Sequence, residues 1–234
     1  MSIAKGGSSA SKFYLGGTEV TKIYKGDTLV YGGSSPVLPY DAEVEYLQSD
    51  GNQYIDTLIP YDATIVCDAG VKLTANTTGQ YILGIYVKNS DESVWRWSVN
   101  DANNRLRPHF GTNTSTSIQI SVSMNAWLTL HADYRYLTVG TKTVDSKATS
   151  FIPDEDATIA IFGRHNYNHT TDVESFSNGQ KCAYSYFKLT VDNALVLDMI
   201  PVRKDGVGYM YDKVSGNLFG NVGTGTFTYG SDVV

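Results

Sequence analysis

The chain has 234 residues at 25.6 kDa, enough for one large all-β domain or two small ones and for a core that needs no disulfide staples. Thr, Ser, Asn and Gly supply 80 residues against 14 Ala, so turn and strand formers outnumber the best helix former and a helical bundle is excluded; 12% aromatics, 17 of them Tyr, argue against disorder. The formal charge is −6 and no Lys/Arg cluster exceeds two neighbours, so the attraction behind phosphate-backbone binding is missing and nucleic acid is not an expected partner.

Residues 1–11 read as a flexible N-terminus. Met1 to Gly7 lacks the apolar stretch of a secretory signal, and no apolar run approaches the ~20 residues of a membrane-spanning helix, so no membrane insertion is expected. A repeat with a period of ten follows: Lys12 to Thr21 aligns without gaps on Lys22 to Tyr31. Each copy is a short β-rich run, a Gly-Gly or Gly-Asp pair and a second run, the pattern of a tight hairpin, so residues 12–31 are expected to form a four-stranded meander. A piece of about twenty residues has one apolar face and no second layer to bury it against. Phe13, Tyr14, Val20, Ile23, Tyr24, Val30 and Tyr31 are therefore expected to dock on another chain, the alternative being the larger domain of the same chain. Residues 32–39, Gly-Gly-Ser-Ser-Pro-Val-Leu-Pro, have the composition of a linker.

Residues 40–234 alternate short strand-like runs with turn clusters at sandwich spacing. Val44 to Leu47, Tyr54 to Asp56, Ile65 to Cys67, Tyr81 to Val87 and Val94 to Val99 come first. Ile118 to Val122, Trp127 to Ala132, Leu137 to Val139, Thr158 to Phe162, Ala183 to Val191 and Leu195 to Val202 follow, and a dozen strands at this spacing imply two stacked sheets. Period-2 alternation in Ile118 to Val122 and in Trp127 to His131 gives each a buried and a wet face. Tyr209 to Asp212 and Gly216 to Phe219 flank a turn and form a closing hairpin. The glycines from Gly220 to Gly230, set among Phe227 and Tyr229, read as an edge strand returning to the opening strand. Cys67 and Cys182 have no metal-type spacing, which leaves a buried thiol pair or a bridge between distant strands.

Chemistry-bearing groups are sparse. A glycosidase needs two carboxylates roughly 5 Å or 6.5–9.5 Å apart; Glu43 with Glu45 and the loop Asp154-Glu155-Asp156 are the nearest candidates, and neither has the strand pattern of such enzymes, so no catalytic residue is assigned. His165 and His169, i and i+4 in a loop-like segment, would stand about 13 Å apart if extended, too far to share a metal ion. No cofactor is expected; calcium at the Asp154 to Asp156 loop is the one candidate. On Val94 to Val99, Trp95, Trp97 and Val99 share one face and Arg96 lies on the other. The tryptophans either fill the core or offer flat plates to a sugar. Arg105-Leu106-Arg107-Pro108-His109-Phe110 is expected to pair with this strand, placing Arg96, Arg105, Arg107 and His109 in one polar group. Arg164, His165 and Tyr167, on a loop, form a second candidate binding group.

The segment from Ala42 to Thr57, with Val44-Glu45-Tyr46-Leu47 at its centre, resembles the opening strand of concanavalin A-like (LamG-type) jelly-roll domains of gut bacteria and their phages. Pro201 to Asn221, which includes Tyr209-Met210-Tyr211-Asp212 and Gly216-Asn217-Leu218-Phe219, resembles their closing segment. Together the two frame residues 40 to 229. The resemblance implies a sandwich of two curved antiparallel sheets in a sugar-binding, adhesion or virion-structural protein, and the hairpin repeat resembles N-terminal segments of phage tail and fibre proteins. The function it implies is a non-catalytic virion component, a fibre, tail or head decoration protein, with host-surface polysaccharide and other virion proteins or sister chains as partners. A homo-oligomer is expected. The alternatives are a bacterial carbohydrate-binding lectin module at the cell surface or outside the cell, and a glycoside hydrolase.

Overall fold

A computed structural model of the chain describes residues 13–15, 18–20, 22–25, 27–32, 38–88, 94–99, 103–111, 118–147, 154–177 and 179–233. The chain divides into two units, Met1–Leu38 and Pro39–Val234. In the first, β1 (Phe13–Leu15) pairs antiparallel with β2 (Thr18–Val20), and β3 (Lys22–Lys25) with β4 (Thr28–Gly32). Leu15 faces Thr18 and Lys25 faces Thr28, so both copies of the repeat leave two residues between their paired ends. The second hairpin absorbs an extra residue, because Ile23 faces Tyr31 while Tyr24 faces Leu29. Among the described residues these strands form two separate two-stranded ladders. Val20 and Ile23 are half-buried, and Leu15 and Tyr24 are 68% and 56% exposed. The side chains of Phe13, Tyr14, Val30 and Tyr31 lie outside the described residues.

The second unit is an all-β, jelly-roll-like sandwich of two sheets. It opens with β5 (Ala42–Glu43), β6 (Leu47–Ser49), β7 (Ile55–Tyr61) and β8 (Val66–Leu73). Next come β9 (Tyr81–Lys88), β10 (Val94–Val99), β11 (Arg105–Phe110) and β12 (Ile120–Ser121), then β13 (Trp127–Asp133), β14 (Tyr136–Val139) and β15 (Lys142–Asp145). The strands β16 (Asp154–Ile161), β17 (Arg164–Asn168) and β18 (Val173–Ser177) lead into the long β19 (Cys182–Val191) and β20 (Ala194–Lys204). The chain closes with β21 (Val207–Asp212), β22 (Leu218–Phe219) and β23 (Thr228–Tyr229). One sheet runs β12-β11-β10-β9-β16-β7, with β17 beside β9 and β18 beside β17. The other runs β15-β14-β13-β8-β19-β20-β21-β22, with β6 beside both β19 and β23 and β5 beside β20. All these ladders are antiparallel except β17 on β9, which is parallel.

The core lies between the sheets and is rich in aromatic rings. Trp95 packs on Tyr61 and Phe110, and Phe162 packs on Tyr184 and Phe227. The buried Tyr184 hydroxyl on β19 donates 2.7 Å to the Ile82 carbonyl on β9, a polar tie between the two sheets that satisfies both groups away from water. Cys67 and Cys182 are free and fully buried. In the β8–β19 ladder Cys67 faces Leu189 and Cys182 faces Leu73, about 20 Å apart along the strands and far beyond the ~7 Å Cα limit of a disulfide. Burial pushes both thiols up, and they act as small apolar fillers.

Two expected loops are strands. Asp154-Glu155-Asp156 begins β16, with Asp154 opposite Tyr61, and is not a loop; the side chains of Asp154 and Glu155, expected as calcium ligands, lie outside the described residues, among which no group of three or more His, Cys, Asp or Glu side chains could hold a metal. Arg164 to Asn168 is β17, pinned between β9 and β18. The C-terminal hairpin forms as β21–β22, with Gly216 at φ 76° in its turn. Beyond it Thr228 and Tyr229 pair with Gln48 and Leu47 of β6 and return the chain to its opening strand.

The closing hairpin is organised by one carboxylate. Asp212 is fully buried and accepts from the backbone N–H groups of Asp198 (2.8 Å), Val214 (3.2 Å) and Ser215 (2.8 Å). Burial alone would raise its pKa, but hydrogen bonding, from the Ser215 side chain first and then from these backbone N–H groups, outweighs it and holds the group below the usual carboxylate range. The ionised form is thus favoured in the folded chain, so its stabilisation is present above the unfolded pKa near ~3.9 and lost as pH falls through the lower folded value. Asp212→Ala is expected to lower stability by about 2 kcal/mol at neutral pH, with the difference from the parent shrinking on acidification; denaturant melts at pH 7 and pH 3 check both the size and the sign.

Candidate functional site

The site grows out of strand alternation on β9, β10 and β11. β10 pairs with β9 so that Trp95 faces Ile85 and Trp97 faces Leu83, and with β11 so that Trp95 faces Phe110 and Val99 faces Leu106. All of these side chains are in the core, with Trp95 1% and Trp97 0% exposed. The tryptophans are therefore core residues and leave the candidate binding group, because a ring between the sheets cannot meet a sugar. Alternation then sends Arg96, Arg105, Arg107 and His109 to the opposite face, with Arg96 directly across from His109.

Two irregularities complete that face. Between Trp97 and Ser98 the register on β9 skips a residue: Trp97 faces Leu83 while Ser98 faces Tyr81. The bulge puts both Ile82 and Leu83 into the core and turns Tyr81 onto the arginine face beside Tyr86. Gly84, at φ 148°, lies opposite Arg96, and a Cβ there would come within 2.4 Å of the Arg96 Cβ and 2.5 Å of the Trp95 carbonyl oxygen. The missing side chain opens the gap across which Arg96 reaches both tyrosines, its guanidinium carbon 5.0 Å from the Tyr81 ring centre and 5.7 Å from that of Tyr86.

β17 supplies a second cation to the same rings. Asn166 aligns with Tyr86 on β9, and the Arg164 guanidinium stands 4.5 Å from the Tyr81 ring and 4.8 Å from the Tyr86 ring. Two arginines thus share two aromatic faces, an arrangement worth about 0.5–2 kcal/mol per contact as it is desolvated. His165, one residue on, points the other way. It is 1% exposed, its Nδ1 accepts from the Thr158 N–H at 3.1 Å, its Nε2 stands 3.4 Å from the Glu174 carboxylate, and its ring stacks on Phe176. His165 is a packed structural residue and leaves the binding group. Tyr167 is half-buried, and its hydroxyl donates 2.6 Å to Asp172. It lines a cleft of about 360 Å³ with Tyr86, Asn166, Thr171, Val173 and Ser175.

The electrostatics of the face follow from its burial. Arg107 and His109 are each 8% exposed, and burial lowers the pKa of Arg96, Arg107 and Arg164, with Arg96 depressing its two cationic neighbours further. Tyr81 acts in the opposite direction on all three without reversing it, and the guanidiniums stay charged because their ordinary pKa lies far above neutral. His109 is lowered to about 3, first by burial and then by Arg96, Arg107 and Arg164. It is a neutral ring at physiological pH.

The opposite sheet carries an aromatic group that the sequence reading passed over. Trp127 on β13 is 46% exposed, its ring centre 6.0 Å from that of Tyr46, and the Lys72 ammonium sits over both rings at 4.9 and 4.5 Å. Open clefts flank it, one lined by Glu45, Tyr46, Lys72 and Ser185 and the other by Thr129, Val139 and Lys142. The alternation of Trp127 to His131 already held the signal, since Leu128 and Leu130 claim the inner face and Trp127 must take the wet one. Of the acids weighed for hydrolysis, Glu43 accepts from the Tyr40 hydroxyl at 3.0 Å, and Asp156 is 3.9 Å from His169.

No protein-family model and no curated protein matches the chain.

Two outcomes follow from this geometry. Gly84→Ala should cost about 1–3 kcal/mol through the clash with β10, read as a lower thermal midpoint; an unchanged midpoint would mean that the β9–β10 spacing is looser than described. The His109 imidazole should show no titration between pH 5 and 8 by NMR, whereas an inflection near 6.5 would contradict a buried ring among cations. Because the unfolded chain takes up this proton near ~6.5 and the folded chain only near 3, acidification across that window favours unfolding.

Proposed function

We propose that the protein is a non-catalytic structural and adhesion component of a phage virion, a fibre, tail or head decoration protein, that binds host-surface glycans through the arginine–tyrosine face of β9, β10, β11 and β17. The observation that carries the binding role is that four of the six arginines in a chain of net charge −6 share this one sheet face. Preformed donors beside aromatic rings and an open cleft are what recognition of a polar ring without covalent chemistry requires.

The virion reading rests on the resemblance of residues 42–57 and 201–221 to jelly-roll domains of gut bacteria and their phages and of the hairpin repeat to N-terminal segments of phage tail and fibre proteins. The hairpin unit is the part proposed to dock on other virion proteins or on sister chains. Its exposed Leu15 and Tyr24 favour this, since small β-units that present apolar side chains gain most from a partner surface. A bacterial lectin module is the second reading. It uses the same face, and the exposed Trp127 platform favours it by offering a further ring for sugar stacking.

Deleting residues 1–35 should leave one cooperative melt for the remainder and a smaller oligomer, measured by calorimetry and light scattering. An unchanged oligomer, or an unfolded remainder, would contradict the docking role. Imaging intact particles with the chain located in them separates the virion reading from the lectin reading.

A further inference from the structure

Four of the chain's six arginines fall into two kinds. Arg203 forms a bidentate pair with Asp232 (2.8 and 2.7 Å), and Arg135 pairs with Asp145 at 3.1 Å. Arg96 and Arg164 are different. Among the described residues neither has a carboxylate within ion-pair distance, and the Nε of each is buried without a hydrogen-bond acceptor. What they have instead is each other, Arg107 alongside, and the shared faces of Tyr81 and Tyr86. Ring quadrupoles attract a cation but accept none of its five directed N–H bonds. A partly desolvated cation with no anion is costly, and two beside each other cost more.

The backbone is shaped to keep them so. The bulge turns Tyr81 outward, Gly84 removes the side chain that would fill the gap, and alternation fixes Arg96 because Trp95 and Trp97 fill the core. We propose that this face is an oxyanion site, in which Arg96 and Arg164 grip the carboxylate or phosphate group of an acidic saccharide whose ring extends into the adjoining cleft. The inference rests on the glycan-binding reading and narrows it to one chemical class.

An oxyanion supplies what the site lacks. It gives planar forks a bidentate acceptor, replaces repulsion between like charges by attraction to a common anion, and meets neutral His109 without a further charge. The cleft that continues from Tyr86 suits a sugar ring. Its volume of about 360 Å³ is at the small end of ligand sites, and its lining of Tyr86, Tyr167, Val173 and amide side chains is mostly apolar with a few directed groups. Its charge is graded along β17 and β18, from Arg164 at one end to Asp172, which accepts from the Tyr167 hydroxyl, at the other. That gradient orients the acidic group toward the arginines and sugar hydroxyls toward Asp172.

The test is calorimetric titration of the full chain with three probes: sodium oligogalacturonate, a neutral galacto-oligosaccharide of equal length, and inorganic phosphate. The expected result is binding of the acidic oligosaccharide over the neutral one, weakened by salt, and reduced roughly tenfold to a hundredfold by Arg96→Gln or Arg164→Gln. Arg164→Lys, which keeps the charge and removes the fork, should lose an intermediate amount while melting like the parent, which separates loss of the grip from loss of folding. Trp127→Ala, on the opposite sheet, should leave binding of the acidic probe unchanged. Equal binding of the acidic and neutral oligosaccharides, insensitive to the arginine variants, would overturn the oxyanion site and leave glycan binding standing. Binding of phosphate with neither saccharide would overturn the saccharide class, and failure of all three probes would overturn both.

Discussion

Burial of Trp95 and Trp97 between the two sheets is the constraint on which the rest of the sandwich depends. A β-strand has only two faces. Once the largest side chains of β10 are committed to the core, Arg96 has no choice of side, and β11, locked in register with β10, sends Arg107 and His109 after it. The Tyr184 hydroxyl on the Ile82 carbonyl holds the second sheet at the distance that closes this core. A cationic face is thus the reverse side of an aromatic core, and its position is set by the packing of that core. Fully burying one aromatic side chain is worth about 1.5–3 kcal/mol.

The bulge on β9 and the glycine within it convert that face from a row of charges into a site. Without the bulge Tyr81 would point inward with Leu83, and with any side chain at position 84 Arg96 could not lie across β9. Irregular backbone is the place where a sheet departs from its own rule to re-aim a side chain. Here two such departures fall within four residues, at the one point where two arginines from strands distant in sequence meet. The parallel seat of β17 on β9 supplies the second arginine.

Much of the fold was legible in the sequence, for physical reasons that can be named. Alternation marked β10 and β13, length and β-branched composition marked β9, β19 and β20, and the Asn-rich connection implied the β10–β11 pairing that brings Arg96 opposite His109. What escaped was polar or irregular. β17 and β18, Arg-His-Asn-Tyr-Asn and Val-Glu-Ser-Phe-Ser, have too few apolar residues to show a period, because the inward side of β17 carries His165 and Tyr167 and its partner strand adds Phe176. The acidic start of β16 looked like a solvated tip and is instead a strand opposite β7. Tyr81 and Gly84 carried no signal at all, since a bulge is a property of two strands in register and neither strand announces it alone.

The core fixes Arg96 and Arg164 against the same two rings, with no carboxylate of the described residues within ion-pair distance of either. A high-resolution crystal structure of the protein soaked with oligogalacturonate tests it most directly. Carboxylate oxygens are expected on the guanidiniums of Arg96 and Arg164 at about 2.7–2.9 Å, with Trp95 and Trp97 unmoved in the core. A carboxylate of the chain itself seated between the two arginines, or the saccharide bound on another face, would contradict it.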